Sequence, residues 1–181
     1  MGKSDEDNGF EKCGVGAALT ASIAGGVYMT IRLARAEDIF QISELLSEFF
    51  AYNAEQQPNK YRAAIENGDY PRAVLDSDTG VFFVAEADKR ILGLIHIEEN
   101  STLPYPSIAP HKFACIMDFF VKPAHRKKNI GHLLLEEAKA WAQSRNLDHI
   151  ELMVLENNEI GKSFYEGAGF VTTSQTMCLD F

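Results

Sequence analysis

One stretch, residues 113–144, constrains the fold more than any other part of the sequence. Residues 113–121, FACIMDFFV, are nearly all apolar, which predicts a strand buried on both faces. Residues 130–144 carry an apolar stripe at helical spacing, which predicts an amphipathic helix. Between them, residues 122–128 hold four fixed positive charges and no negative one. A buried strand that leads through a basic turn into a helix is typical of a sheet with helices packed on it.

The rest of the chain alternates between patterns typical of strands and of helices. Its 181 residues, 46% of them hydrophobic, suit one domain with its own core. The alternating order predicts a single α+β or α/β domain. Further strands are predicted at 30–33, 81–86, 91–99 and 149–155, with one or two more in 170–181, and further helices at 37–50, 58–68 and 159–166.

Residues 1–28 do not share this alternation. Residues 1–12 are polar and acidic, and residues 14–28 are small and weakly apolar, unlike the basic start and leucine-rich centre of a secretory signal. We interpret residues 1–28 as an N-terminal extension or a remnant of cloning, and residues 29–181 as the folded domain. The extension is therefore expected to be dispensable for folding and binding.

Composition argues against several classes of protein. The net charge of −9 is the opposite of what a general nucleic-acid binder carries. The three cysteines include no CxxC pair and the five histidines no HxxxH or HExxH spacing, so neither a disulfide scaffold nor a metal site is expected. The sequence has no apolar run long enough for a bilayer, so we expect a cytoplasmic protein without a membrane partner.

The basic turn is suited to binding an anion. It lies directly before a predicted helix N-terminus, where free backbone N–H groups and the helix dipole favour negative charge. Gly131 allows the backbone to approach a phosphate closely. A solvated basic loop is the alternative, but the buried strand before the turn and the long helix after it favour a pyrophosphate site.

Two motifs in this region resemble those of the GNAT superfamily of N-acetyltransferases. Arg126, Asn129 and Gly131 match the family's Arg/Gln-x-x-Gly-x-Gly/Ala loop, with asparagine at the first glycine, a residue that also tolerates positive φ. A second segment, 158–170, resembles the family's Asn-x-x-Ala-x-x-x-Tyr…Gly-Phe motif, with glycine at position 161 in place of alanine. The two motifs occur in the right order on the expected elements, which makes them more specific together than either is alone, and the resemblance covers about residues 29–181.

The resemblance implies a fold and a cosubstrate. The fold is a mixed, mostly antiparallel sheet of about six or seven strands with about four helices, splayed between the strands matching 113–121 and 149–155. The cosubstrate is acetyl-CoA, whose pantetheine arm occupies that gap. Asn158 would bind the arm, cap its own helix, or do both. The implied cofactor-binding residues are Phe119, Phe120, Val121, Arg126, Lys127, Lys128, Asn129, Ile130, Gly131, His132, Asn158 and Tyr165.

Acetyl transfer to an amine also needs an acid and a base. By resemblance Tyr165 is the general acid, since a phenol can protonate a departing thiolate; simple packing in its helix is the alternative. The base is less defined, because Met153 stands where some relatives have glutamate. Asp118, an isolated acid in an apolar strand, is the first candidate; His96, Glu98, Glu99 and a water-mediated base are the others. Glu98 and Glu99 are also the expected substrate-binding residues, although an exposed strand end would explain them as well.

The expected function is therefore transfer of an acetyl group from acetyl-CoA to a primary amine of a small molecule or a protein, in a ternary complex. The acceptor is expected near the first helix, residues 52–75 and the loop 100–112. Tyr70 is one of four tyrosines there that would line a pocket, or simply lie scattered on the surface. The competing function is a non-catalytic acyl-CoA-binding regulatory module, and a homodimer is compatible with either.

Overall fold

Six strands form one sheet in the residues that the computed structural model describes, which are 19–23 and 27–179. Their spatial order follows the chain, and every neighbouring pair is antiparallel except β5 and β6, which are parallel. The predicted mixed, mostly antiparallel sheet is confirmed. The strands are β1 (Leu19–Ile23), β2 (Val27–Leu33), β3 (Gly80–Ala87), β4 (Arg90–Ser101), β5 (Lys112–Val121) and β6 (Ile150–Leu152).

Four α-helices in the described residues cover the two faces of this sheet. They are α1 (Ile39–Gln56), α2 (Asp69–Leu75), α3 (Ile130–Ser144) and α4 (Glu159–Gly167). Side chains of α1 and α2 build one apolar cluster with β3, β4 and β5, and side chains of α3 build a second on the opposite face, joined by residues of α4. None of these helices has the length and apolar content needed to cross a membrane.

Two predicted elements are wrong. Residues 58–68 form a turn followed by irregular chain, and the helix comes afterwards as α2. The Asn67-Gly68 pair begins this helix instead of ending one: Gly68 adopts φ +96°, and the Asn67 side chain accepts the Asp69 N–H at 3.1 Å. Residues 170–179 have a β-prone sequence, but they form no strand and pair with no described strand. Residues 180–181 lie outside the described residues.

The strand β5 is not buried on both faces as predicted. Ala114, Ile116, Asp118 and Phe120 are buried, whereas Met117 is half exposed. A β-bulge explains this, since His96 pairs with Asp118 and Ile97 with Ile116, which leaves Met117 as an extra residue. The bulge directs Ile116 toward α3 and Asp118 toward α2.

The sheet begins within the predicted N-terminal extension. β1 pairs with β2 along its whole length, from Leu19 opposite Ile31 to Ile23 opposite Val27. Residues 1–18 and 24–26 lie outside the described residues. The domain boundary at Met29 stays a prediction.

Asp38 attaches the start of α1 to the sheet. Its buried carboxylate accepts two hydrogen bonds from the Arg32 guanidinium, at 2.7 and 2.9 Å, and one from the backbone N–H of Arg35 at 2.7 Å. Arg32 also donates to Glu86 on β3 at 2.7 Å. Burial alone would raise the pKa of Asp38, but the hydrogen bonds from Arg32 and Arg35 outweigh it and hold this pKa below its ordinary value.

We expect Asp38→Asn to lower the free energy of unfolding at pH 7 by about 3 kcal/mol, since a buried ion pair loses one partner. Because the folded-state pKa of Asp38 is depressed, its contribution is complete above its unfolded pKa of about 3.9 and is lost as the pH falls through the folded pKa. Urea unfolding from pH 7 down to pH 3 measures this. A difference from the wild type that stays constant over that range would contradict the account.

Candidate active site

A slot opens in the sheet where β5 and β6 separate. The two strands pair only from Ala114 opposite Ile150 to Ile116 opposite Leu152, while β5 continues to Val121. The predicted strand 149–155 is correspondingly short, and residues 153–155 leave the ladder. From Met117 to Val121, the backbone groups of β5 that face β6 have no strand partner among the described residues. Such groups can pair with the amides of an extended ligand.

The basic loop lies at the end of this slot and has the shape that an anion site needs. Lys127 and Asn129 both have positive φ, 61° and 64°, so asparagine does supply the left-handed conformation expected of it. The Leu133 N–H donates to the carbonyl of Asn129, and the earlier N–H groups of α3 lie before this bond. Lys127 and Lys128 are exposed and form no ion pair with a described residue.

Arg126 joins the loop to α1. Its Nε donates to the carbonyl of Val121 at 3.0 Å, and its guanidinium carbon lies 5.0 Å from the ring centre of Tyr52 and 5.6 Å from that of Phe120. No described residue accepts a hydrogen bond from its two terminal nitrogens. They therefore remain available to a ligand.

The start of α3 packs against aromatic residues of α4. A Cβ at Gly131 would lie 3.3 Å from a ring carbon of Phe164, so the glycine also makes room for this packing. The Tyr165 ring contacts those of Phe119 and Phe170, and its hydroxyl has no hydrogen bond with a described residue. Burial raises the pKa of Tyr165, so the phenol stays protonated at neutral pH.

Asn158 caps α4. Its Oδ1 accepts the Gly161 N–H at 3.0 Å and the Tyr52 hydroxyl at 3.3 Å. A Cβ at Gly161 would lie 2.7 Å from the Asn158 amide nitrogen. An alanine here, the residue that the motif usually has, would therefore require the Asn158 side chain to shift. The capping alternative for Asn158 is observed, and binding of the pantetheine arm stays a prediction.

A cluster of polar side chains, largely buried, lies beside the β-bulge of β5. The Tyr70 hydroxyl donates to Asp118 Oδ2 at 2.6 Å, and it also lies 2.6 Å from His96 Nδ1. On the far side of the imidazole, Nε2 lies 3.2 Å from Glu98 Oε1 without forming a hydrogen bond. The site thus brings together three of the four sequence candidates for the base.

Glu99, the fourth candidate, points elsewhere. Its carboxylate accepts hydrogen bonds from Lys112 at 2.7 Å and from Arg145 at 2.9 Å. These bonds hold the pKa of Glu99 below its ordinary value. The carboxylate is therefore already neutralised by two cations of this chain.

A groove of about 650 Å³ separates α1 from residues 65–68. Its charged side chains are mostly acidic: Glu44, Glu48 and Glu66, against Lys122. Lys122 lies 3.3 Å from Glu48, and Glu66 accepts the N–H groups of Gly68 and Tyr70, whereas Glu44 is exposed and makes no ion pair with a described residue. The groove is thus suited to a cation.

Comparison with known proteins identifies the family. Residues 39–170, well over half of the chain, match the acetyltransferase (GNAT) family. The chain belongs to this family. The enzyme class expected from the sequence, an N-acetyltransferase with acetyl-CoA as cosubstrate, agrees with this assignment.

One curated enzyme and several solved structures resemble this chain. A streptothricin acetyltransferase from Escherichia coli is 35% identical over 96 residues, which are 52% of this chain and 50% of that protein, so the match spans half of the relative's length. A mutant of the BH1408 protein from Bacillus halodurans has a TM-score of 0.79 at 23% identity, over 83% of this chain and 98% of that one. An aminoglycoside N-acetyltransferase, AAC(6')-Iy, in complex with the bisubstrate analogue CoA-S-monomethyl-acetylneamine, has a TM-score of 0.62 at 17% identity, over 84% and 97%.

The contacts of Tyr70 with His96 and Asp118, and the acidic groove, are the features that sequence reasoning missed. No pattern in the sequence connects Tyr70 with His96 or Asp118, which lie on other elements. Side chains alternate between the two faces of a strand, so His96 and Glu98 share one face of β4 and Glu99 lies on the opposite face. This alternation predicts from the sequence that only one of the two glutamates lies near His96. This GNAT site is thus assembled partly from residues that carry no motif.

We expect the double variant Lys127→Gln/Lys128→Gln to bind acetyl-CoA about tenfold or more weakly, because two unpaired cations beside the helix start are lost; tenfold corresponds to about 1.4 kcal/mol. The loss should shrink as salt is added. Isothermal titration calorimetry measures both effects. Lys60→Gln, at an exposed position outside the loop, is the matched control. Equal affinities of the double variant and this control would exclude the loop as the pyrophosphate site.

Proposed function

We propose that this protein transfers an acetyl group from acetyl-CoA to the primary amine of a small cationic molecule, by direct attack within a ternary complex. The observation that carries the proposal is the slot of unpaired β5 backbone leading to the basic start of α3. An extended ligand with amides along its length and a pyrophosphate at one end complements both parts.

In this proposal the backbone of Phe119, Phe120 and Val121 pairs with the pantetheine arm. The loop from Arg126 to His132 binds the pyrophosphate through its N–H groups and basic side chains. Asn158 contributes through its amide nitrogen while its oxygen caps α4. Lys127, Lys128, the terminal nitrogens of Arg126 and the amide nitrogen of Asn158 have no hydrogen-bond or ion-pair partner among the described residues, which supports these assignments.

Direct attack agrees with the state of the Cys115 thiol. Cys115 is the cysteine of β5, and burial raises its pKa, with the carboxylates of Glu151 and Glu98 adding to the effect. A thiol held protonated in this way is a poor nucleophile, so it is a poor carrier for an acetyl group. The amine therefore attacks the thioester itself, after losing a proton to Asp118.

Asp118 and Tyr165 are the proposed base and acid. Asp118 lies on the face of the sheet toward α2 and is nearly buried, so a proton taken from the amine is shielded from bulk water. Tyr165 lies on the other face, where its protonated phenol donates to the departing thiolate. The two groups thus act on opposite ends of the reacting centre.

A small cationic acceptor is supported by the acidic groove and by the relatives. Glu44 offers a carboxylate without an ion-pair partner among the described residues, and Glu98 lies 3.2 Å from His96, whose other ring nitrogen faces the proposed base. Streptothricin acetyltransferase and AAC(6')-Iy are named for acceptors of small size that carry amino groups. From these relatives we carry over to the proposal only the chemical class of the acceptor, a small molecule with amino groups.

The activity is tested by measuring release of CoA with a panel of amines. We expect turnover of small molecules with several amino groups, including streptothricin and aminoglycosides, and little turnover of uncharged or single-amine controls. Glu44→Gln should raise KM for the cationic acceptors and leave KM for acetyl-CoA unchanged. Tight binding of acetyl-CoA without turnover of any amine would instead favour a regulatory acyl-CoA-binding module.

For the acid, we expect Tyr165→Phe to lower kcat by about 10²–10⁴-fold, the usual contribution of general acid catalysis. Affinity for acetyl-CoA and the melting temperature should change little, because the ring is kept and the hydroxyl makes no hydrogen bond with a described residue. Steady-state kinetics, calorimetry and thermal unfolding measure the three quantities. A normal kcat combined with a lower melting temperature would mean that Tyr165 only packs.

A further inference from the structure

Four polar side chains from three separate elements form a continuous row beside the bulge. Asp118 comes from β5, Tyr70 from α2, and His96 and Glu98 from β4. Their contacts are 2.6 Å from Asp118 Oδ2 to the Tyr70 oxygen, 2.6 Å from that oxygen to His96 Nδ1, and 3.2 Å from His96 Nε2 to Glu98 Oε1. Motif comparison assigns no role to Tyr70 or His96.

The number of protons in the row determines which group donates and which accepts each hydrogen bond. Tyr70 has one hydroxyl proton but two polar neighbours at 2.6 Å, and it donates this proton to the carboxylate of Asp118, the stronger acceptor. The Tyr70 oxygen must then accept from His96, so Nδ1 carries a proton. Burial raises the pKa of Tyr70, and the charges of Asp118, Glu98 and Glu66 raise it further, which keeps the phenol as a donor.

The histidine is held in place from all sides. Its side chain is 0% exposed, and its ring lies 4.6 Å from that of Phe82. A Cβ at Gly80 would lie 2.9 Å from Glu98 Cγ and 3.2 Å from His96 Nε2, so this side of the ring is closely packed as well. Nε2 itself is buried and has no hydrogen-bond partner among the described residues.

Only one of the two carboxylate oxygens of Asp118 takes part in the row. Oδ2 accepts from Tyr70 and lies 3.4 Å from His96 Nδ1, whereas Oδ1 makes no hydrogen bond with a described residue. Asp118 itself is only 8% exposed. A buried carboxylate needs donors to stay ionised, and here Tyr70 supplies one without using the second oxygen.

We propose that Tyr70 and His96 are positioning residues that hold Asp118 ionised, with Oδ1 directed to the acceptor amine. The inference rests on the proposed function, because the proposed acetyl transfer gives Asp118 a proton to receive. In the step itself, one N–H bond of the acceptor ammonium breaks, its electron pair stays on nitrogen, and the proton forms an O–H bond with Oδ1. His96 and Tyr70 keep their protons throughout.

The first test follows kcat/KM for the amine against pH in Tyr70→Phe. Without the phenol, the Asp118 carboxylate loses one hydrogen-bond donor, so the acidic limb of the profile should move to higher pH. KM for acetyl-CoA should not change. Tyr28→Phe, at a side chain that is 71% exposed on β2, is the matched control. A loss of equal size at every pH would overturn the proposal.

The second test separates the N–H donor from the bulk of the imidazole. His96→Asn presents an amide N–H near the place of Nδ1 and should keep the wild-type acidic limb, whereas His96→Leu should move it in the same direction as Tyr70→Phe. Thermal unfolding establishes that each variant is folded. If the asparagine and leucine variants give the same profile, the N–H of His96 has no role.

The third test needs no turnover. Long-range ¹H–¹⁵N NMR spectra of the wild-type protein report which imidazole nitrogen of His96 carries the proton. We expect a proton on Nδ1. A ring protonated only on Nε2 would overturn the proposed row even if the enzyme acetylates amines. Conversely, an Nδ1 proton without turnover of any amine would count against the proposed function and leave the row intact.

Discussion

The short pairing between β5 and β6 is the constraint on which the site depends. Backbone N–H and C=O groups inside a sheet need partners, and β5 meets this need along its full length only through β4. That long antiparallel ladder holds β5 rigid while its other edge stays open after Ile116. Because α3 follows β5 after a short loop, chain connectivity alone brings a helix N-terminus to the end of the open edge.

The bulge at Met117 divides the chemistry between the two faces of the sheet. A regular strand would alternate strictly, whereas the extra residue lets Ile116 and Asp118 face opposite layers. Asp118 thereby joins Tyr70 and His96 under α2, and the neighbouring Phe119 contacts Phe164 and Tyr165 of α4. The proposed base and the proposed acid therefore approach the same short length of backbone from different sides.

Local patterns predicted most of the elements, and long-range contacts account for what they missed. The apolar stripe of α3 and the positive φ of Asn129 follow from side-chain spacing and backbone preference, which neighbours in sequence determine. Asn67-Gly68 was misread because the same pair can begin or end a helix. Tyr70 could not be assigned, since its partners are 26 and 48 residues away.

The contact between Asn158 and Gly161 has a consequence for protein engineering. Replacing a helical glycine by alanine normally stabilises a protein by about 0.5–1 kcal/mol, and the usual family residue at position 161 is alanine. Here the new methyl group would lie 2.7 Å from the Asn158 amide, so the gain in backbone entropy would be set against a displaced helix cap. Consensus design, which treats each position independently, would not take this contact between positions 158 and 161 into account.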